Sequence, residues 1–186
     1  MSSARFPSIP EDKMTPAQRK AAEGIVQGPR GSIRGPFNTM LRSPEFADRA
    51  QRLGEFVRFH SSLPEQLKEL AILVTARHWT AQYEWYAHRK LALAAGVDAK
   101  HADAIAEGKR PAGLSDVESA VYDFASELLY TKQVSDGTFA KARQHLSEQS
   151  VVDLIGTVGY YSIVSMCLNV DRYPIPDDAT PLKPLM

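Results

Sequence analysis

The sequence predicts an all-α domain, and three observations carry that prediction. Apolar residues recur at three- and four-residue spacing through most of the chain. Helix start and stop signals punctuate it at regular intervals, and nothing alternates with period two for long enough to form a strand. At 186 residues, with 44% apolar and 24% charged side chains, the composition is that of one globular domain able to bury a core.

The elements follow in order. Residues 1–12, opening MSSARFPSIP, and residues 174–186, PIPDDATPLKPLM, are proline-rich without helical period and read as extended arms on a single domain. Thr15, followed by Pro16 at the first helical position, opens a helix to Gln27. The loop GPRGSIRGP at 28–36 carries Arg30 and Arg34. It follows a helix rather than a strand and lacks a Gly-Lys-Ser/Thr ending, so it is not a phosphate loop. Ser43-Pro44 opens a second helix to His60, with Phe46, Ala50, Leu53, Phe56 and Val57 as its apolar stripe.

Pro64 starts a third helix with Leu67, Leu70, Ala71 and Val74 inward. A fourth runs from Thr80 to Ala95, closed by Gly96. A short fifth spans Ala99 to Glu107. Ser115 and Glu118 form a capping box for the sixth, whose apolar side is Val121, Phe124, Ala125, Leu128 and Leu129. Ser135 and Asp136 open a seventh through Leu146. The eighth, Glu148 to Val170, is the most apolar. It reads as too polar for a bilayer span, and so belongs at the centre of the fold or in a subunit contact.

Composition narrows the function. Lys+Arg and Asp+Glu are both 22, giving zero net charge; with no basic stripe, nucleic acid is not the expected partner. That balance also gives little electrostatic protection against self-association. The one cysteine, Cys167, excludes an intrachain disulfide and a cysteine-rich metal cage, and within SIVSMCLNV it reads as an inert buried thiol. Met1 to Pro10 lacks a signal-peptide core, and no run reaches the roughly 20 apolar residues of a membrane span. The expectation is a soluble cytoplasmic protein with no membrane partner.

The chemistry-bearing residues cluster in the third and fourth helices. Glu84 and His88 are four apart and share a helix face. An imidazole beside a carboxylate has its pKa raised and its tautomer fixed, as a general acid–base histidine needs. Glu69 lies among Leu67, Leu70 and Ala71, where a carboxylate must find a partner or shift its pKa. A tight turn near Trp79 lays it antiparallel to His88. Against this, Glu–His pairs at this spacing are common on solvated helix faces, and Trp79, Tyr83, Trp85 and Tyr86 are ordinary core residues as readily as pocket wall. Metal binding has less support, since Glu84 and His88 are half of a helical site with no second pair, and His60, His78, His101 and His145 are scattered.

The stretch from ELAIL at Glu69 to AHRKLALAAGV at Val97 resembles the carboxymuconolactone decarboxylase and alkylhydroperoxidase D superfamily. The segment from Ser115 through VSDGTF to VGYYSIVSMCLN resembles the second half of its longer members. The resemblance implies a compact orthogonal bundle of about eight helices and a homo-oligomer, trimer or hexamer, with its site near a subunit contact. The peroxidase branch places a glutamate, then two cysteines three positions apart, then a histidine four places on. Here Glu69 and His88 keep their positions while Ala81 and Glu84 replace the cysteines, so a dithiol cycle is excluded at this site. The decarboxylase branch needs no cysteines, and Glu84 is similar to an acidic residue found there.

The resulting expectation is an acid–base enzyme, with no cofactor or metal, acting on a small oxygenated acid or lactone. His88 moves the proton, Glu84 and Glu69 orient it, and Arg77, Arg30 or Arg34 holds a carboxylate. Trp79, Tyr83 and Tyr161 line the substrate pocket. The alternatives are a redox-linked relative that has lost its thiols and a non-catalytic helical scaffold or small-molecule binder.

Overall fold

A computed structural model describes residues 4–185, and among them there are nine α-helices and no strand. They are α1 (Pro16–Gln27), α2 (Pro36–Met40), α3 (Pro44–Glu55), α4 (Glu65–His78), α5 (Gln82–Ala94), α6 (Ala99–Ala106), α7 (Asp116–Tyr130), α8 (Asp136–His145) and α9 (Glu148–Asp171). The start signals act as the sequence suggests. Thr15 and Ser115 each accept from the backbone N–H three residues on, and Gln18 and Glu118 return the bond to complete two capping boxes. The short α2, one proline-started turn after the glycine-rich loop, is the element that apolar spacing does not reveal.

The centre of the fold is α4. Every residue from Leu67 to Arg77 is buried, because α5, α6, α7 and α9 pack around it. One apolar cluster joins α4 to α6, α7 and the first half of α9; a second joins α1, α2 and α3 to Ile72 and the second half of α9. The expectation that α9 is too polar for a bilayer is corrected. Its mean hydropathy reaches 1.6 over 18 residues, enough by length and composition to cross a membrane, but 56% of that window is buried inside the fold. It is a core helix with one bare face, on which Val152, Ile155, Met166 and Val170 are exposed.

The second expected helix is also corrected. It ends at Glu55 and continues as a π-helical turn, Phe56–His60. Its buried side is Ala47, Ala50, Gln51, Gly54 and Val57, whereas Phe46, Leu53 and Phe56 are exposed. The small face turns inward because α3 lies close against its neighbours: a Cβ at Gly54 would overlap the Tyr160 phenol. Lys68 Nζ, itself buried, donates to the Arg58 carbonyl at 2.5 Å and holds the π turn against α4.

The arms are extended only in part: the first ends in a 3-10 turn, Glu11–Lys13, the second turns at 177–179, and residues 1–3 and 186 lie outside the described residues. Arg5 and Phe6 N–H groups donate to the Asp171 carbonyl and Oδ1 at 2.8 and 2.7 Å. Leu182 is buried against the α4 cluster. Its N–H donates to Gln82 Oε1 at 2.8 Å, and its carbonyl accepts from Gln82 Nε2 at 3.0 Å.

The turn from α4 to α5 sets the register of the site. Thr80 N–H bonds the Arg77 carbonyl at 3.0 Å, and Ala81 N–H bonds the Ala76 carbonyl at 2.9 Å. This is a Schellman closure with Thr80 as its left-handed residue at φ 47°. Glycine is the usual occupant, since a β-branched side chain is strained there. Thr80→Gly is therefore expected to raise stability by about 0.5–1 kcal/mol, the relieved strain exceeding the added entropy of the unfolded chain. Denaturant unfolding checks this, and a lower midpoint contradicts it.

Candidate functional site

The hairpin of α4 and α5 presses three ionisable side chains together. His88 Nδ1 lies 2.8 Å from Glu69 Oε2 on α4, and Nε2 lies 3.1 Å from Glu84 Oε1 one turn earlier on α5. His88, Glu69 and Glu84 are only 5%, 2% and 4% exposed. The Tyr161 ring from α9 meets the imidazole edge-on, centroids 4.9 Å apart. Burial alone pushes the imidazole pKa down. The charge of Glu84, hydrogen bonds to Glu69 and Glu84, and the charge of Glu69 together outweigh it and raise His88 to about 9.

The raised pKa of His88 favours the imidazolium, which donates one N–H to each carboxylate, and the ring also lines the neighbouring cavity. Glu84 lines the neighbouring cavity, and its Oε2 has no hydrogen bond among the described residues. Two of these three ionisable groups, Glu84 and His88, thus line the cavity, with Glu69 on the far side of the ring.

The cavity, about 330 Å³ and open to solvent on one side, lies between the 29–37 segment, the π turn, α5 and α9. This is the low end of the range for small-molecule sites. Its walls include Arg30, Arg34, Phe37, Arg58, Phe59, Tyr83, Tyr160, Tyr161 and Val164. Gly35 has φ +59°, and a Cβ there would sit 3.0 Å from the Tyr83 ring, so glycine lets the loop close over that wall.

Of the residues the sequence points to, Glu69, Glu84, His88 and Tyr161 come together, and Tyr83 lies on the cavity wall. Arg77 and Trp79 lie outside it. Arg77 is buried near Tyr130 of α7. Burial lowers its pKa, and no described residue hydrogen-bonds its guanidinium. Trp79 ends α4, where its carbonyl accepts from Asn169 Nδ2 at 2.7 Å and its ring lies edge-on to His78.

Phe37, Arg58, Phe59 and Tyr160 are cavity residues that sequence reasoning missed. The signal for Arg58 and Phe59 lay in FVRFH, where apolar residues at 56, 57 and 59 no longer fit one helical stripe. Such a break accompanies π turns, which are frequent at functional sites.

Residues 44–127 match the carboxymuconolactone decarboxylase family. An uncharacterised peroxidase-related protein from Ralstonia eutropha JMP134, described as an alkylhydroperoxidase AhpD core, has the same fold. It is 15% identical with a TM-score of 0.77, over 96% of this chain and 95% of that one. A putative antioxidant defence protein AhpD from Agrobacterium tumefaciens is 16% identical with a TM-score of 0.68, over 78% and 100%. The debrominase Bmp8 is 14% identical with a TM-score of 0.72, over 93% and 92%. No curated protein matches the sequence.

The raised His88 value has a thermodynamic sign. Its folded pKa of about 9 exceeds the unfolded value of about 6.5, so the ionic bonding contributes fully below pH 6.5 and is lost as pH rises through 9. Stability is expected to fall by on the order of 3 kcal/mol across that window, since one pKa unit corresponds to about 1.4 kcal/mol. His88 ring signals in NMR should titrate near pH 9 and shift to lower pH in Glu84→Gln. A His88 midpoint at or below 6.5 would contradict this account.

Proposed function

We propose that this chain, which belongs to the carboxymuconolactone decarboxylase and alkylhydroperoxidase D-like superfamily, is an acid–base enzyme. It acts on a small oxygenated acid or lactone by decarboxylation or a related proton transfer, using side-chain groups alone. The observation that carries the reading is the commitment of both His88 nitrogens to carboxylates while Glu84 lines the cavity.

In a decarboxylation the bond to the departing carboxylate breaks, carbon dioxide leaves, and the electron pair stays on the substrate carbon, spread into a conjugated carbonyl. The His88 Nε2 proton passes across the 3.1 Å contact to the Glu84 carboxylate, which hands it on to the carbanion, and the imidazole left neutral takes a proton back from solvent. Glu69, on the far side of the ring, steadies the imidazolium and its orientation. The partly buried walls exclude water around the developing charge, so each fixed group acts more strongly than it does in solution.

A thiol route has no support at this place. Glu84 and Ala81 stand where a dithiol pair stands in the peroxidase branch. Cys167 lies on α9, partly buried, and burial raises its pKa away from the reactive thiolate.

Glu84→Gln is expected to reduce turnover of the true substrate about a hundredfold or more. Cys167→Ser should leave it unchanged, and hydroperoxide reduction should be absent in both proteins. Steady-state kinetics on a panel of small lactones and keto acids provides the measurement. A Glu84→Gln variant at full rate would leave the thiol-free redox relative or the non-catalytic binder as the better reading.

The assembly we propose is a homo-oligomer, a trimer or hexamer. Val152, 64% exposed, with Ile155, Met166 and Val170 forms a bare apolar row on a protein without net charge to keep copies apart. Light scattering at micromolar concentration is expected to give a multiple of 20.6 kDa. One chain mass would refute the assembly.

A further inference from the structure

The cavity around Glu84 holds an unbalanced positive charge. Arg30, Arg34 and Arg58 line it, whereas its one lining acid, Glu84, already faces the imidazolium of His88. The three arginines are not equivalent. Arg34 turns its Nε to Ser32 Oγ at 2.7 Å on the exposed loop, and Arg58 rides on the π turn with its guanidinium over Phe59, 5.2 Å from the ring centroid.

Arg30 is built into the wall. Its guanidinium lies over the Phe37 ring, 4.8 Å from the centroid, and its Nη2 donates to Tyr160 Oη at 3.3 Å. Its Nε is buried with no hydrogen-bond partner among the described residues. Among the described residues no carboxylate forms an ion pair with it.

Tyr160 is 2% exposed and also lines the cavity. Because its oxygen accepts from Arg30, its own O–H remains to donate. Burial raises the phenol to about 12, so it keeps that proton at any physiological pH. The guanidinium and the phenol O–H are thus adjacent donors on one cavity wall, and two such donors match an anionic oxygen pair.

Gly54 makes this placement possible. A Cβ on α3 at that position would overlap the Tyr160 hydroxyl and ring carbon and come within 2.5 Å of Arg30 Nη2. A buried ring and a stacked guanidinium have little room to yield.

We propose that Arg30 and Tyr160, held in place by Gly54, form a carboxylate-binding subsite, so that the natural ligand is an organic carboxylate with a flat apolar body. The body lies along Phe37, Tyr161 and Val164, between the anchored carboxylate and Glu84. This rests on the acid–base reading only for the statement that Glu84 marks the reacting end; Arg30 is a binding residue and Gly54 a positioning residue.

Benzoate and its neutral isostere benzamide test the subsite, with affinities measured by NMR titration of the full chain. Benzoate is expected to bind about tenfold or more tightly than benzamide, a difference of about 1.4 kcal/mol. Arg30→Gln should bring the two within about twofold, and Tyr160→Phe should weaken benzoate alone by several-fold. Gly54→Ala should erase the preference as Arg30→Gln does; should it fail to fold, the other two variants still decide. Glu84→Gln should leave the benzoate preference intact.

Equal binding of the two probes, no detectable benzoate binding, or a preference that survives Arg30→Gln would overturn the proposal. If the preference follows Arg30 while Glu84→Gln changes no turnover, the subsite stands and the acid–base reading falls.

Discussion

Three ionisable groups share one nearly dry space between α4 and α5, and their mutual satisfaction constrains the rest of the molecule. A carboxylate placed there alone would be costly, as would a histidinium, and the three are tolerable together because His88 stands about 3 Å from each carboxylate. The requirement is geometric as well as electrostatic. Glu69 must come from a different helix than Glu84 and His88, so the two helices must be antiparallel, close and correctly phased. The buried length of α4, the tight turn at Thr80 and the edge of Tyr161 all serve that phase.

The same group of residues sits on the fold of the peroxidase-related and AhpD-like neighbours with no thiol among its members. The position given to a cysteine in one branch holds Glu84 here, on the same helix face and four residues before the same histidine. A carboxylate in that place cannot attack a peroxide as a thiolate does, but it can carry a proton. Substitution at one residue thus alters what the whole constellation can do, while the helices keep their packing.

Much of this was legible in the sequence, for identifiable reasons. The capping boxes at Thr15 and Ser115 are local chemistry, and the Glu84–His88 pairing follows from helical spacing. Glu69 required only the further step that a short turn reverses the chain. What was illegible depends on distant packing. Phe46, Leu53 and Phe56 fit an apolar stripe, yet they face outward because Gly54 and its small neighbours admit Tyr160 more closely than large side chains would. Arg77 fits a carboxylate-binding role by its proximity in sequence to the site, but α4 carries it under Tyr130 instead. Tyr160 and Arg58 enter the cavity through α9 and a π turn whose positions no local pattern specifies.

The C-terminal arm is tied to the site through a single side chain. Gln82 binds the backbone of Leu182 from both of its amide atoms, and Gln82 is the first residue of α5, two positions before Glu84. That helix start has no side-chain cap of its own. The arm does not cap the backbone N–H groups; it holds the Gln82 side chain from a segment 100 residues away. When the arm lifts, the first turn of α5 loses its outside anchor and is free to fray. The breathing of an apparently remote tail and the placement of the Glu84 carboxylate are then one motion.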